Sequence, residues 1–426
     1  MHSWPAPQIP LLPDADGVRP QVHDSTTRTL VQPVPGTHAG LYVCGITPYD
    51  ATHIGHATTY LAFDLLIRSW RDAGLDVTYV SNVTDVDDPL LERATATGVD
   101  WRDLARDQIA LFAQDMTALG VIPPDVYLGA VETIPQVSEA VAKMLSAGLA
   151  YRVPLEPGAG GADPELGDVY ADLSQDARFG DVAGLDQATM LALFGERGGD
   201  PERAGKRSAL DPLLWRRERP GEPSWDGGEL GRGRPGWHIE CAVIAHDGLG
   251  VDVHVQGGGA DLLFPHHEMS TSHLRTIADG ASASAHVHVG LVSYQGEKMS
   301  KSRGNLVLVS RLRADSTDPM AIRLAILAHH YREEWEWFDA DLVRASARLE
   351  RWREAVSGNG GPDASGTLAE IRAALRDDLD APRALRAVDE WAERAVAESS
   401  RSDVAVHEGA PGVVARAVNA LLGVRL

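Results

Sequence analysis

The chain has little lysine. Among its 426 residues, lysine occurs only at Lys143, Lys206, Lys298 and Lys301, and 61 acidic residues outnumber 39 Lys plus Arg, which gives a formal net charge of −22. Proteins that hold a nucleic-acid backbone usually present a basic face. The composition therefore weighs against a nucleic-acid partner without excluding one.

The chain also lacks long apolar runs and has only two cysteines, Cys44 and Cys241. Without eighteen consecutive apolar residues, we expect no membrane span. The first residues carry neither a basic region nor an apolar core, so they do not resemble a secretory signal, and we expect a cytoplasmic protein. Two isolated cysteines in such a protein are either buried thiols or metal ligands.

What the chain does have is a strand, a loop and a helix in residues 41–68. An apolar run at 41–46 predicts a buried strand, and a periodic apolar segment that includes Leu61, Leu65 and Leu66 predicts a helix. The sequence His53-Ile54-Gly55-His56 stands where that helix begins. In parallel α/β folds this corner binds phosphates, because helix N–H groups and the macrodipole point there. The alternative is an ordinary βα unit with surface histidines.

A second motif lies far downstream. Residues 298–302 read Lys-Met-Ser-Lys-Ser, and two lysines three residues apart on a loop suit a clamp for a triphosphate. HIGH and KMSKS in this order resemble the signature of the class I aminoacyl-tRNA synthetases.

Three further residues suggest a metal site. Cys44 stands near the end of one predicted strand, His266 at the start of a helix after another, and Cys241 where the second half of the pattern resumes. Strand ends at one edge of a parallel sheet converge on a single crevice. Two thiolates and an imidazole suit zinc with one open position. The alternative is two buried thiols and a helix-capping histidine.

We predict an α/β fold of the class I synthetase type, a Rossmann (HUP-like) catalytic domain with an inserted connective domain and a C-terminal helical bundle. Strands are expected at residues 76–82, 251–255 and 286–291, a helix at 101–119 and a flexible linker at 357–366. Asp85, Asp87 and Asp88 either bind Mg²⁺ or cap a helix. The expected divisions are a surface arm (1–30), the first catalytic half (31–130), the insertion (131–235), the second half (236–315) and the bundle (316–426).

Five motifs carry a closer resemblance, across roughly residues 40–310. In chain order CGITPYDATHIGHA, NVTDVDD, GRGRPGWHIEC, GGGADLLFPHHE and GEKMSKS are similar to cysteinyl-tRNA synthetases. That family holds zinc with two Cys, a His and a Glu, and the zinc binds the substrate thiolate. The resemblance implies Cys44, Cys241 and His266 as ligands, but Ser270 stands where the family has its Glu.

The resemblance also implies the remaining site. His53 and His56 would stabilise the phosphates of ATP, supplied with Mg²⁺, and Lys298 and Lys301 would neutralise the leaving pyrophosphate. Asp261 would approach the nucleotide or hold the substrate ammonium, and Trp237 is either a wall of the cysteine site or a core residue. The implied cysteinyl-adenylate pocket comprises Cys44, Gly45, Ile46, Thr47, Thr59, Asn82, Val83, Thr84, Trp237, Gly259, Ala260, Asp261 and Val292.

Two departures point away from tRNA. After the predicted bundle no anticodon-binding domain is expected before Leu426, and the loop at residues 196–201 replaces a segment expected near the acceptor end of tRNA. In these respects the chain resembles the cysteine ligases of mycothiol biosynthesis, which pass activated cysteine to the amine of glucosaminyl-inositol. The expected substrates are L-cysteine, ATP and glucosaminyl-inositol, with no tRNA, no membrane and a monomeric enzyme. The alternatives are a cysteinyl-tRNA synthetase with a reduced tail and a catalytically silent scaffold.

Overall fold

The computed structural model describes residues 1–13, 16–155, 166–299, 304–398 and 406–426. Across those ranges, no helix is both long enough and apolar enough to cross a bilayer.

The first part of the chain builds one half of a parallel sheet. In order it forms β1 (Val22–Asp24), β2 (Thr29–Val31), β3 (His38–Ile46), α1 (Ile54–Asp72), β4 (Asp76–Val83), α2 (Asp88–Thr97), α3 (Trp101–Leu119) and β5 (Val126–Gly129). The predicted helix at 101–119 is confirmed, and the first two predicted strands are longer than expected by three residues and by one. Strands β3, β4 and β5 are parallel neighbours, with α1 and α3 in the connections between them.

The next segment forms a separate antiparallel sheet. Its elements are α4 (Ile134–Ser146), β6 (Ala150–Val153), β7 (Asp168–Ala171), α5 (Gln187–Glu196), β8 (Leu213–Arg217) and β9 (Gly233–Pro235), with strand order β6-β7-β8-β9. The buried side chains of Val169 and Trp215 pack with α4 and α6 residues in one apolar cluster, so the insertion rests on the main sheet.

The chain then returns to the first sheet. It forms α6 (Trp237–Leu249), β10 (Val255–Gly259), α7 (Glu268–Ile277), β11 (Ala285–Val289), β12 (Val292–Tyr294) and β13 (Glu297–Lys298). The sheet order is β11-β10-β3-β4-β5, all parallel, so the strand order reverses between β3 and β10. Ligands bind in such folds at the carboxyl ends of the two strands that flank this reversal.

The strand predicted at 251–255 was placed wrongly. The strand begins at Val255, where the predicted strand ends, and includes the glycines that follow. A Cβ at Gly257 would lie 2.2 Å from the ring of Phe63, so glycine is needed there for α1 to pack against the sheet. The strand predicted at 286–291 ends two residues earlier, at Val289.

The last part of the chain is mainly helical. It forms α8 (Val309–Ala314), α9 (Pro319–Leu327), β14 (Trp335–Glu336), α10 (Asp339–Ala355), β15 (Gly360–Gly361), α11 (Ser365–Arg376), α12 (Ala381–Glu398), β16 (His407–Glu408) and α13 (Ala410–Leu422). The flexible linker predicted at 357–366 is wrong in part. Strand β15 within it pairs with β16, and α11 begins at Ser365.

The N-terminal segment, predicted as a surface arm, is held to the rest of the chain by buried contacts. The Trp4 side chain is buried and its indole N–H donates to the carbonyl oxygen of Val121 over 2.9 Å. The buried carboxylate of Asp24 accepts from the backbone N–H of His286 over 2.9 Å. These contacts fasten the segment to the main sheet.

A buried charge network joins α1 to the C-terminal helices. The Asp64 carboxylate accepts hydrogen bonds from Arg68 (2.7 Å), from Arg323 of α9 and from the backbone N–H of Ile122 (2.9 Å). The two guanidiniums also donate to carbonyl oxygens of Gly120, Asn419 and Leu422, which end α3 and α13. Burial by itself raises the pKa of Asp64, but the guanidiniums of Arg323 and Arg68 hold it below its ordinary value of 3.8.

We predict that Asp64→Asn lowers the free energy of unfolding by about 3–5 kcal/mol at neutral pH, because it leaves two buried guanidiniums without a counter-charge. Since folding lowers the pKa of Asp64, its carboxylate stabilises the fold above pH ~4 and loses this effect at lower pH. The difference between wild type and variant, measured by denaturant titration, should be constant from pH 8 to 5 and shrink below ~4. Glu139→Gln, which removes an exposed pair with Lys143, is the control and should leave the midpoint unchanged. A midpoint unchanged in Asp64→Asn would contradict the assignment.

Candidate active site

The structure brings the three predicted metal donors together beside the reversal of strand order. Cys44 lies near the end of β3, Cys241 in α6 and His266 in the short helical turn Leu263–His267 before α7. Their ligand atoms all lie within 4.8 Å of one another, and all three residues are buried. His266 Nε2 is 3.2 Å from Cys241 Sγ. Segments far apart in sequence therefore place two sulfurs and one imidazole nitrogen around one point.

The two thiols do not ionise alike. Burial raises the pKa of Cys44 well above its ordinary value, whereas the hydrogen bond from the Cys44 thiol and the nearby His266 lower the pKa of Cys241. The Cys44 thiol thus keeps its proton beside the Cys241 sulfur in an enclosed space. A divalent cation in its place would stabilise both thiolates, so the chemistry of this donor set fits zinc.

Ser270 is the residue that the motif resemblance implies at the position of a fourth ligand. Its hydroxyl accepts from the Gln256 amide over 2.9 Å and donates to the carbonyl oxygen of His267 over 3.4 Å. The only metal-binding group found in the described part of the chain contains Cys44, Cys241 and His266, without a carboxylate.

A chain of buried histidines behind Cys44 was missed in the sequence. His267 Nε2 lies 3.2 Å from Cys44 Sγ, His267 Nδ1 lies 2.7 Å from His288 Nε2, and His288 Nδ1 lies 2.8 Å from the Ser25 hydroxyl. Burial lowers the pKa of His267 well below its ordinary value and that of His288 to about 3, so both rings are neutral at pH 7. With one donor and one acceptor per neutral ring, the contacts from Ser25 through His288 and His267 to Cys44 form one continuous hydrogen-bond chain.

A second pair of rings supports His266. His266 Nδ1 lies 3.0 Å from His238 Nδ1, which leaves Nε2 of His266 facing Cys241. Trp237, at the start of α6, stacks on the His266 ring with centroids 4.2 Å apart. Trp237 is half-buried and also lines the large cavity described below, so it is not a core residue.

The HIGH segment forms the start of α1, as predicted. The rings of His53 and His56 stack with centroids 3.8 Å apart, and no side chain caps the helix. A Cβ at Gly55 would lie 2.9 Å from the His53 ring, so glycine is what allows that ring to lie over the first turn. The arrangement presents two imidazoles at a positive helix terminus.

The segment that follows the KMSKS loop is tied to the same helix start. The N–H of Ile54 donates to the carbonyl oxygen of Val307, and the N–H of Val309 donates to that of Thr52. Lys298 ends β13, whereas Lys301 lies outside the described residues. Strand β13 therefore ends at Lys298, just before the loop, and the segment after the loop is held at the start of α1.

Asn82 holds the end of β3 in place. Its side-chain oxygen accepts from the Tyr42 hydroxyl (3.0 Å) and from the N–H of Gly45 (2.8 Å), and its amide donates to the Thr84 hydroxyl over 3.2 Å. A Cβ at Gly45 would lie 1.6 Å from the carbonyl oxygen of Asn82. Strands β3 and β4 are therefore too close together here for any residue with a side chain at position 45.

The other predicted adenylate residues lie at or after strand ends of the parallel sheet, except Thr59 in α1 and Val292 in β12, which belongs to a separate sheet. Ile46 and Val83 end β3 and β4 as neighbours, and Thr59 lies in α1, where its hydroxyl donates to the carbonyl oxygen of Gly55 over 3.3 Å. Val292 begins β12. The remaining positions are Thr47 just after β3, Thr84 just after β4, and Gly259, Ala260 and Asp261 at and after the end of β10.

Of the two readings of the aspartate cluster, the helix cap is confirmed for Asp87. Its carboxylate accepts from the N–H of Asp88 at the start of α2. Burial, together with the nearby Asp88 charge, raises the pKa of Asp87 to about 6. Asp85 accepts from the N–H of Val131 and so secures the chain after β5.

Hydrogen bonds from the insertion hold the loop that carries His266. No sequence motif predicted these contacts. Arg197 donates to the carbonyl oxygens of Asp261 (2.6 Å) and Phe264. Glu268 accepts from the N–H groups of Gly180 and Ala183, each over 2.8 Å. The position of the His266 turn thus depends on the inserted segment.

A cavity of about 1970 Å³ opens from this site. Thr47, Trp237 and Asp261 line its inner end. Its walls come from α2 and the start of α3 on one side and from the insertion on the other. Of the described lining residues, the charged ones are Asp87, Asp88, Glu92, Asp100, Glu196, Asp200, Glu222, Asp261, Arg102, Arg197, Arg216 and Arg234, so carboxylates outnumber arginines.

We predict that Asn82→Ala lowers the free energy of unfolding by about 3 kcal/mol, because the buried hydroxyl of Tyr42 and N–H of Gly45 both lose their acceptor. The matched variant Thr84→Val removes only the partner of the Asn82 amide and should cost about 1 kcal/mol. Denaturant titration of both variants tests the comparison. Equal losses would mean that Asn82 does not organise the end of β3.

Comparison with known proteins agrees with this architecture. The family model described as tRNA synthetases class I (C) catalytic domain matches residues 30–347. A solved methionyl-tRNA synthetase from Mycobacterium tuberculosis, bound by methionyl-adenylate, shares the fold with a TM-score of 0.62 at 16% identity, over 90% of this chain and 92% of that one.

Two curated relatives match the whole chain. Proteins named L-cysteine:1D-myo-inositol 2-amino-2-deoxy-alpha-D-glucopyranoside ligase from Sanguibacter keddieii and Cellulomonas flavigena are 72% and 64% identical to it, over 100% of both chains in each case. The family resemblance that we inferred from the motifs is thereby confirmed. The chain belongs to the family of L-cysteine:1D-myo-inositol 2-amino-2-deoxy-alpha-D-glucopyranoside ligases, and its catalytic domain is of the class I (C) tRNA synthetase type.

Proposed function

We propose that the protein is an ATP-dependent ligase that joins L-cysteine to the amine of glucosaminyl-inositol, a step of mycothiol biosynthesis. The observation that carries this proposal is the buried Cys44–Cys241–His266 set next to an acid-lined cavity, with Trp237 both stacked on His266 and lining that cavity. The full-length relatives bear the name of this reaction.

In the first step the carboxylate of cysteine attacks the α-phosphate of ATP, forming cysteinyl-adenylate and releasing pyrophosphate. His53 and His56 donate hydrogen bonds to phosphate oxygens at the start of α1, where the helix dipole adds favourable charge. Lys298 and Lys301 neutralise the departing pyrophosphate, and Mg²⁺ accompanies ATP as part of the substrate.

Cys44, Cys241 and His266 are proposed to hold one zinc ion per chain. Bound there, zinc supplies a Lewis acid that takes the thiol of the substrate as thiolate and so separates cysteine from serine. Neighbouring side chains of the protein hold the proposed metal ligands in position. His267 donates to the Cys44 sulfur, His238 contacts His266 Nδ1, and Trp237 stacks on the His266 ring.

In the second step the amine nitrogen of the acceptor attacks the carbonyl carbon of the adenylate. A C–N bond forms, the bond from that carbon to the phosphate oxygen breaks, and AMP leaves with the electron pair. The amine releases one proton, and the product is an amide. A free amine is a good nucleophile, so the step depends mainly on bringing the two groups together.

The family model also names tRNA synthetases, so charging of tRNA is the second candidate. The acidic cavity wall opposes it, because a phosphate backbone that enters there meets like charge. A sugar amine is a cation when protonated and has no phosphates. The same wall therefore favours glucosaminyl-inositol.

The test is AMP release by the purified protein with ATP and cysteine, given glucosaminyl-inositol or bulk tRNA in parallel. We expect an amide product and AMP with the sugar amine and no charged tRNA. The control, His56→Ala, should abolish AMP release with either acceptor, since it acts before they do. Charged tRNA without amide would replace this proposal with the synthetase. Absence of cysteine-dependent pyrophosphate exchange in the wild type would show a silent scaffold.

Cys241→Ala should lose zinc and reduce cysteine-dependent pyrophosphate exchange more than ~100-fold, because it removes one of three proposed ligands. Metal content by mass spectrometry and exchange of labelled pyrophosphate into ATP give two separate readouts. His246→Ala, on the exposed end of the same helix α6, is the matched control and should keep both. Full exchange activity in a metal-free Cys241→Ala protein would refute the zinc assignment.

A further inference from the structure

The large cavity extends away from the proposed nucleotide site. Its described lining includes Thr47 and Trp237 from the cysteine pocket but not His53, His56 or Val292. The remaining walls come from α2, the start of α3 and the insertion. A third substrate that approaches the activated carboxyl group of cysteine from this side does not cross the start of α1, where the phosphates of ATP are proposed to bind.

One side of this cavity holds a fixed ion-pair network. Arg234, in β9, has only 7% of its side chain exposed and donates to Asp88 over 2.5 Å and to Glu222 over 3.3 Å. Arg216, in β8, binds the same Glu222 carboxylate with two hydrogen bonds of 3.0 and 2.9 Å. Asp88 belongs to α2, so the network spans the catalytic domain and the insertion.

The ion pairs fix the positions of the two carboxylates but leave part of each carboxylate exposed. The side chain of Asp88 remains 59% exposed and that of Glu222 27% exposed, and both line the cavity. Each carboxylate has about four acceptor positions, of which the arginines use only part. Pre-positioned planar groups of this kind bind hydroxyl groups with little loss of side-chain entropy.

We infer that Asp88, Glu222 and Arg234 form the acceptor subsite and bind the hydroxyl groups of glucosaminyl-inositol. This inference rests on the proposed function. The two carboxylates accept from sugar or inositol hydroxyls and Arg234 donates to them, while the amine reaches inward past Trp237 toward the cysteine carbonyl. The acceptor has many hydroxyl groups and no anionic group, which matches a wall in which carboxylates predominate.

The test uses Asp88→Asn and Glu222→Gln in the full-length, zinc-loaded enzyme. Both keep the shape of the side chain and remove its charge. We expect the KM for glucosaminyl-inositol to rise about tenfold in each variant, because charge-assisted hydrogen bonds to the acceptor are lost. The KM for cysteine and the rate of cysteine-dependent pyrophosphate exchange, which precede acceptor binding, should stay within about twofold.

The control is Glu139→Gln, which removes a carboxylate from an exposed ion pair in α4, away from the cavity. It should leave every constant unchanged. An unchanged acceptor KM in both cavity variants would overturn the subsite. A parallel loss of pyrophosphate exchange would also overturn it, since the network would then support the fold rather than the acceptor.

The results separate a failure of the acceptor subsite from a failure of the proposed ligase function. If the wild type forms no amide from glucosaminyl-inositol while it still exchanges pyrophosphate, the proposed function fails and the subsite fails with it. If the wild type forms the amide and both variants bind the acceptor normally, only the subsite fails.

Discussion

The fold depends on one buried carboxylate. Asp64 lies in the middle of α1, and its contacts with Arg68 and Arg323 join that helix to the ends of α3 and α13. The same helix carries His53 and His56 at its start. Because two guanidiniums cannot remain buried without a counter-charge, this interaction holds the C-terminal helices against the catalytic sheet and α1 in its position beside it. Helices that contribute no side chain to the proposed chemistry thus decide where the phosphate-binding corner lies.

Behind the metal donors, neutral histidines take the role that carboxylates often have beside ligands. His267 and His288 are too deeply buried to carry a charge, so each offers one N–H and one lone pair. The Ser25 hydroxyl contacts His288 at the outer end of this chain, and the Cys44 sulfur contacts His267 at the inner end. With a thiolate at Cys44 as the acceptor, His267 donates to it and His288 donates to His267. A carboxylate in this position would add negative charge near two thiols. Neutral rings orient the sulfur without opposing its ionisation.

The sequence predicted those parts of the site whose residues stand together in short motifs. Cys44, His53 and His266 lie at strand ends or helix starts, and the order of strands and helices is enough to bring them to one edge of a parallel sheet. Arg197 and Glu268 act instead through backbone atoms of distant segments, so no spacing in the sequence reveals their partners. The glycines of β10 misled the prediction because glycine usually ends a strand. Here it belongs to a central strand, since the ring of Phe63 occupies the space of a side chain.

The insertion explains how one catalytic fold can serve different acceptors. It holds the His266 turn through Arg197, and it also supplies Arg234 and Glu222 to the cavity wall. The residues proposed to activate cysteine face inward, and those proposed to bind the acceptor face the cavity. A change in the cavity wall can therefore alter the acceptor without disturbing the first step. An acid-rich wall repels a polyanion over several ångströms, whereas individual hydroxyl groups are recognised only on contact. In the proposed scheme, the overall charge of the wall is enough to disfavour tRNA, while recognition of the sugar depends on the fixed positions of Asp88, Glu222 and Arg234.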